Sequence, residues 1–335
     1  MRAAWYERKG EARDVFRLGE RPMPEPGANE VRVRVRVSAV NPSDTKQRAG
    51  WGGADGMPFP LIVPHNDGAG EIDAVGPGVP QSRVGERVWV YEAQRDGRAF
   101  GTAAEYVVVP SANAVRLPDD ASLEDGASLG VPGMTAHRLL FADGSIHGRT
   151  VLVQGGAGSV GHIAVQLARW AGARVIATAG SEIQAQVARE CGAHHVLNYR
   201  SDDVAGRVAE ITGESAGGVD RVIEVAFAKN LDLDARVLKP SGVIATYMVD
   251  DDPVHPPALD LQQLLVKDLT VRFTLVYAMG RAHHDEAAAD LNAALAAGAL
   301  RPRIARRFRL DDIAEVHELM GTGGMGGKAV LEIAG

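Results

Sequence analysis

Residues 151–161 read Val-Leu-Val-Gln-Gly-Gly-Ala-Gly-Ser-Val-Gly, an apolar run that ends in Gly156-x-Gly158-x-x-Gly161 and opens onto a helical pattern. Phosphate oxygens reach the peptide N–H groups at a helix N-terminus only where no side chain intervenes. On this reading Gly156 permits the tight turn, Gly158 the close approach of a diphosphate, and Gly161 the packing of helix on strand. Three glycines are a weak signal in a chain with 39 of them, and a glycine-rich structural turn is the alternative. The flanks favour the site. Val151, Leu152 and Val153 suit a buried parallel strand, and Val160, Ile163, Ala164, Leu167, Ala168 and Ala171 recur at helical spacing before Gly172. The expected diphosphate cradle is Gly156, Ala157, Gly158, Ser159, Val160 and Gly161.

From about Ser122 onward, apolar runs near Val151, Val175, Val196, Val222 and Val243 alternate with helical segments. Such alternation implies a parallel sheet covered on both faces, and a sixth run, Leu269 to Phe273, completes it. Before Ser122 the texture differs. Val31 to Val37 alternate with Arg32, Arg34 and Arg36, as in a strand with one wet face. Short runs at Ile72 to Val75, Arg87 to Tyr91 and Tyr106 to Val109, broken by glycine turns, extend this into a β-rich domain. The expected fold class is α/β, with a β-rich domain over 1–121, a doubly wound dinucleotide-binding domain over 122–273, and a segment 274–335 returning to the first domain. That segment carries helices from His284 to Ala297 and from Asp311 to Met320, then a strand from Lys328 to Ile333.

At 335 residues, with 45% apolar and 24% charged residues, the chain is long enough for two soluble domains. A net charge of −7 with no extended basic block argues against nucleic acid or an anionic membrane as partner. The single cysteine, Cys191, excludes an intramolecular disulfide and is read as helix packing ahead of Gly192. The N-terminus lacks the apolar core of a signal peptide, and no run approaches the roughly 18 apolar residues of a membrane span, so the expected location is the cytoplasm.

Taken together, the motifs resemble the zinc-free quinone oxidoreductases, the zeta-crystallin-like branch of the medium-chain dehydrogenase/reductase superfamily. The resemblance rests on Val40-Asn-Pro-Ser-Asp-Thr45, Asp67-Gly-Ala-Gly70, Gly101-Thr-Ala-Ala-Glu-Tyr106, Ala127 to Ala136, the glycine motif, Asn198-Tyr-Arg200 and Val237-Leu-Lys-Pro-Ser-Gly242. It implies a GroES-like catalytic domain, a Rossmann domain, and reduction of a conjugated carbonyl by NADPH. Where zinc-bearing relatives place their ligands, this chain has Asn41 to Ser43, Asn66, Asp67 and Val131, which leaves at most one carboxylate, so no metal site is expected. Adjacent His65 is read as a turn histidine. Without a metal the acceptor must take hydride readily by itself, as quinones and activated alkenes do, and the protein supplies proximity and orientation.

The resemblance also implies roles for single residues. Asn41 reads two ways, as an amide facing a quinone oxygen or as an Asn-Pro turn that caps its own backbone. Asp44 orders the same loop. Thr135 resembles the family's contact to the nicotinamide carboxamide and reads equally as a helix N-terminal hydroxyl. Relatives carry a tyrosine after the Arg-Ala-Gly50 stretch, whereas this chain has Trp51, either a flat wall for the acceptor or a surface residue. After the second strand come Ala179, Gly180 and Ser181 rather than the carboxylate that binds an NAD ribose, and Glu182 lies past the strand. Arg200 is the candidate cation for a 2′-phosphate, with Gly180 and Ser181 beside it and Tyr199 flanking the adenine. Glu224 to Asn230 and Thr246, Tyr247 and Met248 are expected along the cofactor's ribose edge; Tyr247 and Tyr277 read as cleft residues or as core aromatics. The apolar Val271 to Tyr277 run at a sheet edge suggests a homodimer. Rival readings are a reductase of enal or enone C=C bonds and a non-catalytic structural or RNA-binding protein of zeta-crystallin type.

Overall fold

The computed structural model describes residues 1–50, 56–95, 97–213, 217–248, 260–321 and 327–333. Trp51 lies outside the described residues. The chain divides into two compact units, Met1–Pro132 with Pro302–Gly335, and Gly133–Arg301.

The first unit is a β structure. Its elements are β1 (Arg2–Trp5), α1 (Ala12–Val15), β2 (Arg17–Glu20), β3 (Glu30–Val40), α2 (Pro42–Ala49), β4 (Asp67–Val75), β5 (Arg87–Val90), β6 (Tyr106–Pro110), β7 (Ala114–Arg116) and α3 (Leu123–Ala127). The valine–arginine alternation does what its period demands: Val31, Val33, Val35 and Val37 are buried, and Arg32, Arg34 and Arg36 are only partly covered. Helix α4 (Gly130–Phe141) then leads into the second unit.

The second unit contains β8 (Thr150–Val153), α5 (Gly161–Trp170), β9 (Arg174–Ala179), α6 (Glu182–Glu190), β10 (His195–Asn198), α7 (Val204–Thr212), β11 (Val219–Glu224), α8 (Phe227–Val237), β12 (Leu238–Thr246), α9 (Leu261–Val266), β13 (Thr270–Phe273) and α10 (Arg281–Ala296). Its six strands are all parallel and run in the order β10-β9-β8-β11-β12-β13. In sequence terms that is 3-2-1-4-5-6, the doubly wound order expected from the alternating pattern. The order in which strands are added reverses between the parallel neighbours β8 and β11, so the loops after Val153 and Glu224 emerge side by side at the switch point.

The chain then returns to the first unit with β14 (Ile304–Arg309), α11 (Ile313–Gly321) and β15 (Lys328–Glu332). Strand β15 pairs with β14 and, antiparallel, with β3, inside the sheet β14-β15-β3-β4-β5-β7, with β6 also on β3. Strand β14, Ile-Ala-Arg-Arg-Phe-Arg, has three polar positions in six and gives no periodic signal of its own. Among the described residues no helix is long and apolar enough to cross a membrane.

Both unit boundaries differ from those read in the sequence. Residues 122–132 stay with the first unit because α3 lies on its sheet, where Gly126 faces Leu117 and Trp89 too closely for a larger residue to fit unchanged. Residues 274–301 stay with the second unit. There His284 Nε2 donates to the Val276 carbonyl at 3.1 Å, Asp290 meets His137 at 2.8 Å, and the Gln166 amide grips the Arg301 backbone at 2.8 and 3.2 Å.

Candidate functional site

In the second unit the glycine loop joins β8 to α5. The conformation only glycine adopts freely falls on Gly155, at φ +65°, and not on Gly156, which was expected to make the turn. Gly156 is needed for another reason. A Cβ there would lie 2.8 Å from the Ala177 Cβ of β9. A Cβ on Gly161 would come within 2.2 Å of the Gly155 carbonyl, so that residue holds helix against loop as expected. Gly158 differs from both, because its Cβ would meet only the Gly155 oxygen, at 3.4 Å, and the residue faces solvent. Among the described residues the N–H groups of Ala157, Val160 and Gly161 have no acceptor, while Gly158 N–H donates to Gly155 O at 2.9 Å and His162 N–H to Gly158 O at 3.0 Å. Unpaired N–H groups around an uncrowded glycine at a helix N-terminus form an anion cradle, and the residues fit a dinucleotide diphosphate.

At the end of β9, Gly180, Ser181 and Tyr199 come together. The space a Gly180 Cβ would need is filled by the Tyr199 hydroxyl, 2.2 Å away. Ser181 caps α6 by accepting from Gln184 N–H at 3.3 Å, and Gln184 Oε1 accepts from Gly180 N–H at 2.9 Å. The Arg200 guanidinium lies 5.9 Å from the Tyr199 ring, exposed, with no carboxylate partner among the described residues. Glu182 is turned away to Arg189, 2.6 Å distant, and that hydrogen bond holds its carboxyl below the usual range. At the end of β12, Thr246 is level with Glu224 of β11, and its hydroxyl donates to Met248 O at 3.0 Å. Tyr247 is half-buried, and burial with the nearby Glu224 pushes its hydroxyl up. Thr135 is buried in α4.

In the first unit the loop after β3 is drawn inward. Asn41 is 1% exposed; its Nδ2 donates to Asp67 Oδ2 at 2.8 Å, and its Oδ1 accepts from the Lys328 ammonium of β15. Asp44, at the third position of α2, accepts from Asn41 N–H at 2.8 Å and from Asn66 Nδ2 at 2.9 Å. Asp67 also takes the Val131 N–H, 3.0 Å from both oxygens, at the start of α4. Gly130 is what permits this, since a Cβ there would sit 2.1 Å from Asp67 Oδ1. The Asn41 amide is therefore engaged within the fold by Asp67 and Lys328 rather than by its own backbone, whose N–H goes to Asp44. Burial pushes the Asp44 and Asp67 carboxyls up and the Lys328 ammonium down, and their mutual attraction opposes both shifts.

His65 is fully buried and lies in a hydrogen-bond chain whose direction is determined at one end. Thr102 Oγ1 donates to the Asp67 carbonyl at 2.6 Å, which uses its only proton. Ser38 must then donate to Thr102 at 2.8 Å, His65 Nδ1 to Ser38 at 2.8 Å, and His317 Nε2 to His65 Nε2 at 2.9 Å. His317 Nδ1 remains as a buried acceptor with no hydrogen-bond partner among the described residues. Both rings are thereby neutral: burial holds His65 at about 3, and burial together with His65 holds His317 well below its usual value.

This donor set does not suit zinc. Both Asp67 oxygens and both His65 nitrogens are engaged, and the Lys328 ammonium already pairs with Asp67. Among the described residues no three His, Cys, Asp or Glu side chains converge as a metal site requires. Lys328 was the functional-region residue that the sequence reading missed; Lys-Ala-Val-Leu-Glu-Ile looked like an ordinary strand start, and only the pairing of β15 with β3 reveals its partners.

Comparison with known proteins agrees with this architecture. Residues 27–119 match the alcohol dehydrogenase GroES-like domain, and residues 159–295 match a family described as zinc-binding dehydrogenase. The quinone oxidoreductase of Lama guanicoe is 31% identical, over 92% of this chain and 90% of that protein. A 2-haloacrylate reductase of a Burkholderia species is 34% identical, over 95% of each. The solved structure of Escherichia coli quinone oxidoreductase complexed with NADPH superposes with a TM-score of 0.84 at 26% identity, covering 99% of this chain and 100% of that one.

Proposed function

Because the chain belongs to the quinone oxidoreductase branch of the medium-chain dehydrogenase/reductase superfamily, we propose that it reduces quinones with NADPH by direct hydride transfer, without zinc. The observation that carries this reading is the glycine loop at the switch point, with an uncrowded Gly158 and unpaired N–H groups at Ala157, Val160 and Gly161.

NADPH supplies the hydride. The protein's part is to hold it: the loop N–H groups take the diphosphate, Tyr199 and Gly180 shape the adenosine end, and Thr246, Tyr247 and Met248 line the ribose edge. Thr135 is assigned to the carboxamide. Arg200, with no carboxylate partner among the described residues, and Ser181, whose hydroxyl proton is not used by the cap, suit a 2′-phosphate, whereas Glu182 is committed to Arg189 rather than to a 2′-hydroxyl. Asn41 and Asp44 order the loop after β3. The pairing of Asp67, at a former ligand position, with Lys328 supports a metal-free reaction.

The likeness to a 2-haloacrylate reductase supports a second reading, reduction of an activated C=C bond. NADPH oxidation, followed with a panel of quinones and enones in the presence of a strong chelator, tests both. Turnover of quinones supports the first reading and turnover of enones alone the second; turnover of neither by protein that binds NADPH favours a binding role. Association is proposed through the β13 edge, where Phe273 and Leu275 are 63% and 60% exposed, giving a cytoplasmic homodimer.

A further inference from the structure

Beneath the glycine loop, two fully buried carboxyls face each other without a cation. Glu224 ends β11 and Asp234 lies on α8, both 0% exposed. Glu224 accepts from the Ala226 N–H and from Asn230 Nδ2, 3.2 Å from each oxygen. Asp234 Oδ1 accepts from Gln154 Nε2 at 3.1 Å, and its Oδ2 has no N–H or O–H donor among the described residues. Burial first, and then the neighbouring Glu224 carboxyl, push the Asp234 carboxyl up. Two ionised carboxylates in contact, dehydrated and without a counter-ion, are untenable, and a proton between them removes the conflict.

From Asp234 a single line of hydrogen bonds runs to the loop. Gln154 Oε1 accepts from Thr178 Oγ1 at 2.8 Å, and Thr178 Oγ1 in turn accepts from the Gly155 N–H at 3.1 Å. Gly155 is the residue in the left-handed conformation, so its N–H orientation sets how the following glycines enter α5. The Thr178 carbonyl holds the next N–H, that of Gly156, at 2.9 Å.

We propose that Asp234 is a positioning residue for the dinucleotide: it stays protonated, donates to Glu224, and through Gln154 and Thr178 fixes the Gly155 peptide and with it the diphosphate loop. This rests on the reading of that loop as a dinucleotide site. With its proton in place Asp234 is neutral, so the anionic diphosphate above is spared a second buried negative charge.

The test uses the purified full chain and three variants, with NADPH affinity by fluorescence titration, melting temperature, and infrared absorption of protonated carboxyl groups at neutral pH. Asp234→Leu breaks both hydrogen bonds and is expected to weaken NADPH about tenfold, the size of one hydrogen bond. Asp234→Asn keeps a donor to Glu224 and an acceptor for Gln154, and restores most of that affinity while abolishing the carboxylic acid band. Thr178→Val, close in shape, cuts the line midway and weakens NADPH by a similar factor, which keeps the test open if Asp234→Leu fails to fold. Unchanged NADPH affinity in folded Asp234→Leu and Thr178→Val, or an identical acid band in wild type and Asp234→Asn, overturns the proposal. Folded wild type that binds no dinucleotide overturns the loop reading and this one with it; wild type that binds, beside unaffected variants, overturns this one alone.

Discussion

The ammonium of Lys328 on β15 lies 3.3 Å from Asp67 Oδ2 on β4, and the two side chains are 1% and 0% exposed. Removing one partner of such a pair leaves an uncompensated buried charge, at a cost of roughly 3–5 kcal/mol. Lys328→Met is expected to lose that much in urea denaturation. Arg307→Met, which breaks the surface pair with Glu124, should lose about 1 kcal/mol or less. Equal losses from the two variants would mean that the buried pair adds nothing special.

The same pair predicts metal content. Purified protein should contain no stoichiometric zinc and keep its activity in a strong chelator. Elemental analysis showing one tight zinc per chain, with activity lost on its removal, would overturn the metal-free reading.

Gly158→Val should weaken NADPH and NADH alike while the melting temperature stays close to wild type, because a side chain there meets only open space and one carbonyl. Gly161→Val should behave in the opposite order and damage folding first, since its Cβ would fall 2.2 Å from the Gly155 oxygen. Calorimetry and cofactor titration on both variants separate the two effects.

Arg200→Ala tests cofactor choice. Hydrogen bonds to a charged group contribute roughly 1.5–3 kcal/mol, or about a 10- to 150-fold difference in binding. NADPH affinity should fall by that factor and NADH affinity should hardly move. An equal loss for both would make Arg200 structural.

The buried histidines predict a pH dependence. His65 has its folded value lowered to about 3, so between about pH 6.5 and 3 the unfolded chain binds a proton that the folded one refuses. Its contribution is complete above about 6.5 and is lost as pH falls, reaching about 2 kcal/mol at pH 5. Wild type should therefore lose more stability between pH 7 and pH 5 than His65→Asn does, measured by urea denaturation at each pH. Parallel pH profiles for the two proteins would show that His65 is not held neutral.

Local signals made most of the fold legible. The strands of the second sheet, the valine–arginine strand and the helix after the glycines all carry their period within ten residues, and the structure has each of them. What escaped were relations between distant positions. The inward turn of Asn41 depends on Lys328, 287 residues away, and nothing near Asn41 signals it. The left-handed residue of the loop was read as Gly156 instead of Gly155, because a run of glycines does not say which one bends and which one merely leaves room for Ala177. The unit boundaries fell at Gly133 and Arg301 because packing of α3 and α10, rather than composition, decides where each segment belongs.

The way β15 inserts between β14 and β3 also bears on how the molecule is made. Synthesis runs from the N-terminus, and the continuous stretch Gly133–Arg301 can close its own core as soon as it clears the ribosome. The β-rich unit has no such independence. Strand β3 emerges early, and while β4 and β6 pair with most of it, its Val37–Val40 end and Asp67 wait for their partners until Lys328 has been added nearly three hundred residues later. The first-made part of this protein is thus the last to be finished, and during that interval the open Val37–Val40 edge is a surface in need of cover.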